Sequence, residues 1–133
     1  MDVQALCMSS GFQLHVDVTV RNPLAQRYVE GTRNSTNTDG MACDVAWQEK
    51  QARYPPKDGL TCRVAAAEVL GRLSPQFVEL LEELAVLAAA NDRLLGKPHV
   101  SWKRKWMSTL SVTLARSAAQ TLVEASGSVC MPI

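Results

Sequence analysis

Residues 12–20 read FQLHVDVTV, an unbroken alternation. Phe12, Leu14, Val16, Val18 and Val20 fall on one side, and Gln13, His15, Asp17 and Thr19 on the other. Successive side chains of a strand point to opposite faces, so this stretch is a strand with one core-directed face. Antiparallel sheets commonly leave the other face open to water, where polar residues gather. Asp17, in the middle of that face among β-branched neighbours, is therefore either a solvent-facing residue or part of a site.

Around this strand the chain divides into short segments. Asp2 to Met8 can form a first strand, with Ser9-Ser10-Gly11 turning it back into Phe12 to Val20 as an antiparallel hairpin. Pro23 stops further ladder pairing, and Leu24 to Glu30 suits a short helix. Gly31 to Gly40, GTRNSTNTDG, holds no apolar residue and reads as a surface loop without the glycine pattern of a phosphate cradle. Met41 to Tyr54 reads as a helix ended by Pro55-Pro56. Leu60 to Val69 reads as a strand, weakened by Ala65-Ala66-Ala67, since alanine is a poor strand former.

Two helices complete the chain. Ser74-Pro75 is an N-cap followed by a first-turn proline, and Phe77, Leu80, Leu81, Leu84, Leu87 and Ala88 recur at helical spacing up to about Leu95. Ser101 caps a last helix to about Ala125, in which Trp102, Trp106, Leu110, Leu114, Ala118 and Leu122 form the face expected to pack on the domain. The sequence thus predicts an α/β fold: a small mixed sheet begun by an N-terminal hairpin, flanked by helices, with two C-terminal helices. The expected organisation is a core over 1–73, a helical pair over 74–125 packed on it, and a tail over 126–133.

Composition narrows the function classes. The net charge of +1 excludes a uniformly basic nucleic-acid coat, so attraction to phosphate has to come from a local cluster. Lys97, Lys103, Arg104 and Lys105 are the dense basic cluster; cations in the first turn of a helix oppose its dipole, which favours a use such as holding a DNA or RNA backbone. Trp102 and Trp106 beside it are either core residues or base-stacking platforms. The cysteines Cys7, Cys43, Cys62 and Cys130 are too scattered for a CxxC zinc half-site. With no secretory signal in MDVQALCMSSG and no apolar run of membrane length, the expectation is a soluble intracellular protein with reduced thiols.

The acids around the first hairpin carry the chemistry. Asp2 and Asp17 can meet across it, and paired carboxylates suit Mg²⁺, which binds one or two carboxylates plus water and phosphate oxygens. Lys50 on the following helix is the candidate for orienting the attacking water or neutralising developing charge. His15, two residues from Asp17, reads first as a hydrogen-bonded sheet histidine, and His99 as incidental. No Gly-x-Ser-x-Gly elbow is present.

HVDVTVRNP, followed by AWQEKQARY, resembles the restriction-like endonuclease domain at the C-terminal end of certain non-LTR retrotransposon reverse-transcriptase proteins, a branch of the PD-(D/E)xK nuclease superfamily. The resemblance covers about Asp2 to Gly71. It implies Asp17 as the second acid, Lys50 as the helix lysine ahead of Tyr54, Asp2 as the first acid, and Glu68 as a further acid of less defined role. The implied activity is DNA nicking by phosphodiester hydrolysis with Mg²⁺ or Mn²⁺ bound by Asp2, Asp17 and Glu68. DNA is the implied partner, RNA a further one, no membrane is involved, and the location is nuclear if retroelement function is retained. The sequence departs from the family in three places. Met1 stands where a proline precedes the first acid, Thr19 where the superfamily's strand lysine would stand, and the gap from Asp17 to Lys50 is long, with Gly31 to Gly40 as the insertion. The expectation is a separated C-terminal piece of a larger element lacking its reverse-transcriptase region. The alternative function is a non-catalytic descendant that keeps the fold and binds nucleic acid or protein.

Overall fold

The structure is a computed structural model. It describes residues 2–7 and 12–13 as backbone and residues 14–31, 34–57, 62–94 and 102–127 in full. Strands β1 (Asp2–Cys7) and β2 (Phe12–Arg21) are followed by the single-turn helix α1 (Gln26–Val29) and by α2 (Met41–Arg53). Strand β3 (Cys62–Glu68) and helices α3 (Pro75–Leu94) and α4 (Trp102–Gly127) complete the order. The fold is α/β, with a small mixed sheet begun by the N-terminal pair, flanking helices and a C-terminal helical pair.

The sheet order is β1-β2-β3, so β2 is central. β1 pairs antiparallel with β2, from Asp2 opposite Asp17 to Cys7 opposite Phe12. β3 pairs parallel with β2, from His15 beside Cys62 to Arg21 beside Glu68. Parallel neighbours need a long crossover, and the segment holding α1 and α2 supplies it.

Neither face of the sheet is open. On one side Leu14, Val16 and Ala65 pack against Leu80, with Val18, Phe77 and Leu84 closing the cluster, so α3 covers this face. On the other, Val64 and Ala66 pack against Cys43 and Ala46, with Trp47 beside them, so α2 covers the face that carries Asp17. Of the two readings of Asp17, the solvent-facing one is excluded, since the residue is buried. A strand buried on both sides reads as a continuous apolar run, which is what Val64-Ala65-Ala66-Ala67 is. Its short side chains let a helix approach from either face.

Local chemistry fixes the element ends. Ser74 is buried, and its Oγ accepts the Phe77 N–H at 3.1 Å, the N-cap bond that the Ser-Pro pair predicts. Its own N–H donates to the Ala66 carbonyl at 2.8 Å, which ties the start of α3 to β3. Gly71, at φ 98°, makes the turn between them, a conformation that L side chains rarely adopt. The described part of the 31–40 loop is built on Asn34. Its Oδ1 accepts the N–H groups of Thr36 and Asn37, and the Ser35 N–H donates to the Tyr28 carbonyl at 2.7 Å.

α4 departs from expectation in how far it packs. It contacts α3, and the Ser111 hydroxyl reaches the Gly71 carbonyl at 3.5 Å, yet no residue of α4 is fully buried. Trp102, Leu110, Leu114 and Ala118 are half-buried, whereas Trp106 and Leu122 are exposed. A helix of this length spans about 39 Å at 1.5 Å per residue, so its C-terminal turns outrun the domain beneath them. Among the described residues no helix is long and apolar enough to cross a membrane.

Candidate active site

Asp17 sits at the centre of the central strand with only 1% of its surface exposed. β1 flanks it on one side, β3 on the other, and α2 lies over it. The covering helix brings Lys50, whose Nζ stands 2.7 Å from Asp17 Oδ2. Lys50 and Tyr54 are four residues apart on or beside α2, which sets them one above the other on one helix face. The lysine Nζ lies 5.8 Å from the Tyr54 ring centroid. The ammonium is thus held between a carboxylate and an aromatic face, and the Lys-x-x-x-Tyr spacing is what allows it.

Among the described residues neither carboxylate oxygen of Asp17 accepts a hydrogen bond and both are buried, so Oδ2 meets Lys50 as an ion pair and Oδ1 is left unmatched. A buried acceptor left unmatched costs about 1–3 kcal/mol, more for a charged group. Such a group calls for an explanation, and a missing ligand is one. His15, on the same face of β2, also has a buried Nε2 without a hydrogen-bond partner among the described residues. Asp2 is the register partner of Asp17 on β1, the arrangement that the hairpin predicts; its side chain lies outside the described residues.

Glu68 is not brought to Asp17. The register partner of Asp17 on β3 is Val64, four residues before Glu68, a separation of about 13 Å along the strand at 3.3 Å per residue. Glu68 instead is buried near Cys43 in the first turn of α2 and pairs with Arg72 at 3.6 Å. That placement sets an acid beside the start of a helix whose N-cap residue, Gly40, makes no side-chain cap bond. Burial, the largest effect, pushes the Glu68 carboxyl above its ordinary range, and Arg72 works the other way. The same desolvation pushes the nearby Cys43 thiol up to about 12.

The basic cluster is only partly available. Lys103 is engaged by Glu82 of α3, Arg104 and Lys105 are exposed, and Lys97 lies outside the described residues, as does His99. A feature that the sequence did not reveal stands next to Lys50. Glu49 is gripped by Arg21 of β2 at 3.1 Å and by Arg27 of α1. The Arg27 guanidinium above all, with Arg21 and Arg53 adding to it, holds the Glu49 carboxyl below the usual range. These residues are far apart in the chain, and no local pattern marks them as neighbours.

Among the described residues no group of three or more His, Cys, Asp and Glu side chains is placed to hold a metal. Mg²⁺ makes smaller demands. Asp17 Oδ1 offers an unmatched lone pair, and Asp2 is the register neighbour that would bring a second carboxylate. The residues therefore fit a two-carboxylate Mg²⁺ site without Glu68. No protein-family model matches the chain, and neither does any curated protein or solved structure.

Proposed function

We propose that this chain is a retroelement-derived, Mg²⁺-dependent endonuclease-like domain that nicks DNA by phosphodiester hydrolysis. The observation that carries the reading is the contact between Asp17 and Lys50, 33 positions apart, at 2.7 Å on a buried strand. Those are the two residues that the resemblance marks as acid and lysine. The Asp2–Asp17 register adds the second acid.

In this reading Asp17 and Asp2 bind Mg²⁺, which supplies charge neutralisation at the phosphodiester and activation of a water. Lys50 carries three N–H donors, and its ammonium stands against Asp17 Oδ2 as an ion pair. Its N–H donors serve to orient the attacking water and to offset negative charge as it grows on the phosphate. The Tyr54 ring restricts the lysine stem, so the ammonium keeps this position before substrate arrives.

One observation favours a second reading, a non-catalytic module that keeps the fold and binds nucleic acid or protein. Both Asp17 carboxylate oxygens are shut away from solvent, as in a purely structural ion pair. Nicking of supercoiled plasmid separates the two. The nuclease reading expects conversion to open circles in Mg²⁺ or Mn²⁺ but not in EDTA, and loss of it in Asp17→Ala. Equal conversion by wild type and Asp17→Ala would remove the nuclease reading.

A further inference from the structure

The surface beside the Asp17–Lys50 pair carries more positive charge than it needs for its own structure. Arg21 and Arg27 both contact the carboxylate of Glu49, and Arg53, four residues farther along α2, adds its charge from a distance, three guanidiniums against one acid. Arg27 is held over the Tyr28 ring at 4.9 Å and its side chain is 53% exposed; Arg53 is exposed as well. Guanidinium groups present a planar fork that matches phosphate oxygens, so an excess of them at one spot suits phosphate.

The placement suits a polymer rather than a single phosphate. Glu49 adjoins Lys50 on α2, and Arg21 lies four residues beyond Asp17 along β2, about 13 Å at 3.3 Å per residue. That is about four steps of a duplex at 3.4 Å per step. A ligand with one phosphate at Asp17–Lys50 would have others over the arginines. The cluster at the start of α4 belongs to the helical pair, where Lys103 meets Glu82 of α3, and α3 covers the opposite face of the sheet from α2.

The geometry points to a phosphodiester-backbone anchor formed by Arg27 and Arg53, with Arg21 behind them, where α1 and the end of α2 meet the end of β2. The choice of ligand rests on the nuclease reading above.

The test is binding of the full chain to fluorescein-labelled duplex DNA and, in a second arm, single-stranded RNA, by anisotropy across a salt series in EDTA. Arg27→Gln/Arg53→Gln is expected to flatten the plot of log affinity against log salt by about 1.8 for the duplex, roughly 0.9 per lost phosphate contact. Glu49→Gln, which frees the cluster of its one acid, is expected to tighten binding. Lys103→Gln/Arg104→Gln/Lys105→Gln is expected to leave the slope unchanged. A loss in the duplex arm identifies DNA and a loss confined to the RNA arm identifies RNA; either supports the anchor. An unchanged slope in the arginine variant, a loss only in the α4 variant, or competition by polyglutamate as strong as by DNA would overturn it. Wild-type binding without plasmid nicking would sink the nuclease reading and leave the anchor standing. Nicking with an unchanged slope would sink the anchor alone.

Discussion

Replacing Lys50 with Met removes the cation that faces the Asp17 carboxylate. At 2.7 Å and an effective dielectric of about 20, the direct attraction is about 6 kcal/mol. Desolvating each ion costs several kcal/mol, so the intact pair contributes little net stability. Breaking it is different. The Asp17 side chain is 2% exposed and cannot reach water, whereas that of Lys50 is 17% exposed and has a long stem that can swing outward. Lys50→Met should therefore cost about 3 kcal/mol, near the low end for a broken buried pair. Asp17→Val should cost less, because the freed ammonium can move to solvent. Asp17→Val/Lys50→Met should be as stable as wild type or more so, since two apolar side chains in place of a buried pair are often neutral or stabilising. Urea unfolding at neutral pH, with the slope m checked for constancy, measures all three. A Lys50→Met variant within about 0.5 kcal/mol of wild type, the usual range for surface substitutions, would refute the reasoning.

Three further outcomes follow from groups around the site. Burial raises the Glu68 carboxyl above its ordinary pKa, so folding favours its protonated form. The stability this contributes is fully present below the unfolded value, about 4.3, and is lost as pH rises through the raised folded value. Glu68→Gln should then gain on wild type in Tm across that upward window and plateau above it; a gap independent of pH would contradict the assignment. Cys43, its thiol pushed up to about 12, should resist iodoacetamide at pH 8 in the native protein and react once unfolded, as mapped by mass spectrometry. Ser74→Ala should lose about 1 kcal/mol of stability in urea, the usual cost of an N-cap hydroxyl, and no change would mean the Phe77 bond contributes nothing.

The strand over Phe12 to Val20 was legible because a period of two is hard to produce any other way. The hairpin register, α2 up to Pro55, and the Ser74 cap were also legible, since turns, prolines and capping oxygens act locally. What the sequence misjudged was the surroundings of Asp17. Alternation in β2 suggested one open face, and the evidence against it lay in β3, where Ala65-Ala66-Ala67 reads as poor strand propensity although it reflects burial on both sides. The exposure of Leu122 at 71% was hidden for a similar reason. A stripe shows which face is apolar and not how far the neighbouring layer extends. The motif marked Asp17 and Lys50, which meet in the structure, but the Glu49 cluster and the position of Glu68 beside α2 depend on tertiary contacts that no short pattern encodes.

The central claim is that the Asp17–Lys50 pair is kept for chemistry and not for the fold. The Asp17→Val/Lys50→Met protein tests it most directly, through its Mg²⁺-dependent rate of plasmid nicking once urea unfolding has shown it to be folded. That protein should be at least as stable as wild type and show no nicking above the EDTA background. Nicking at the wild-type rate by that variant would contradict it.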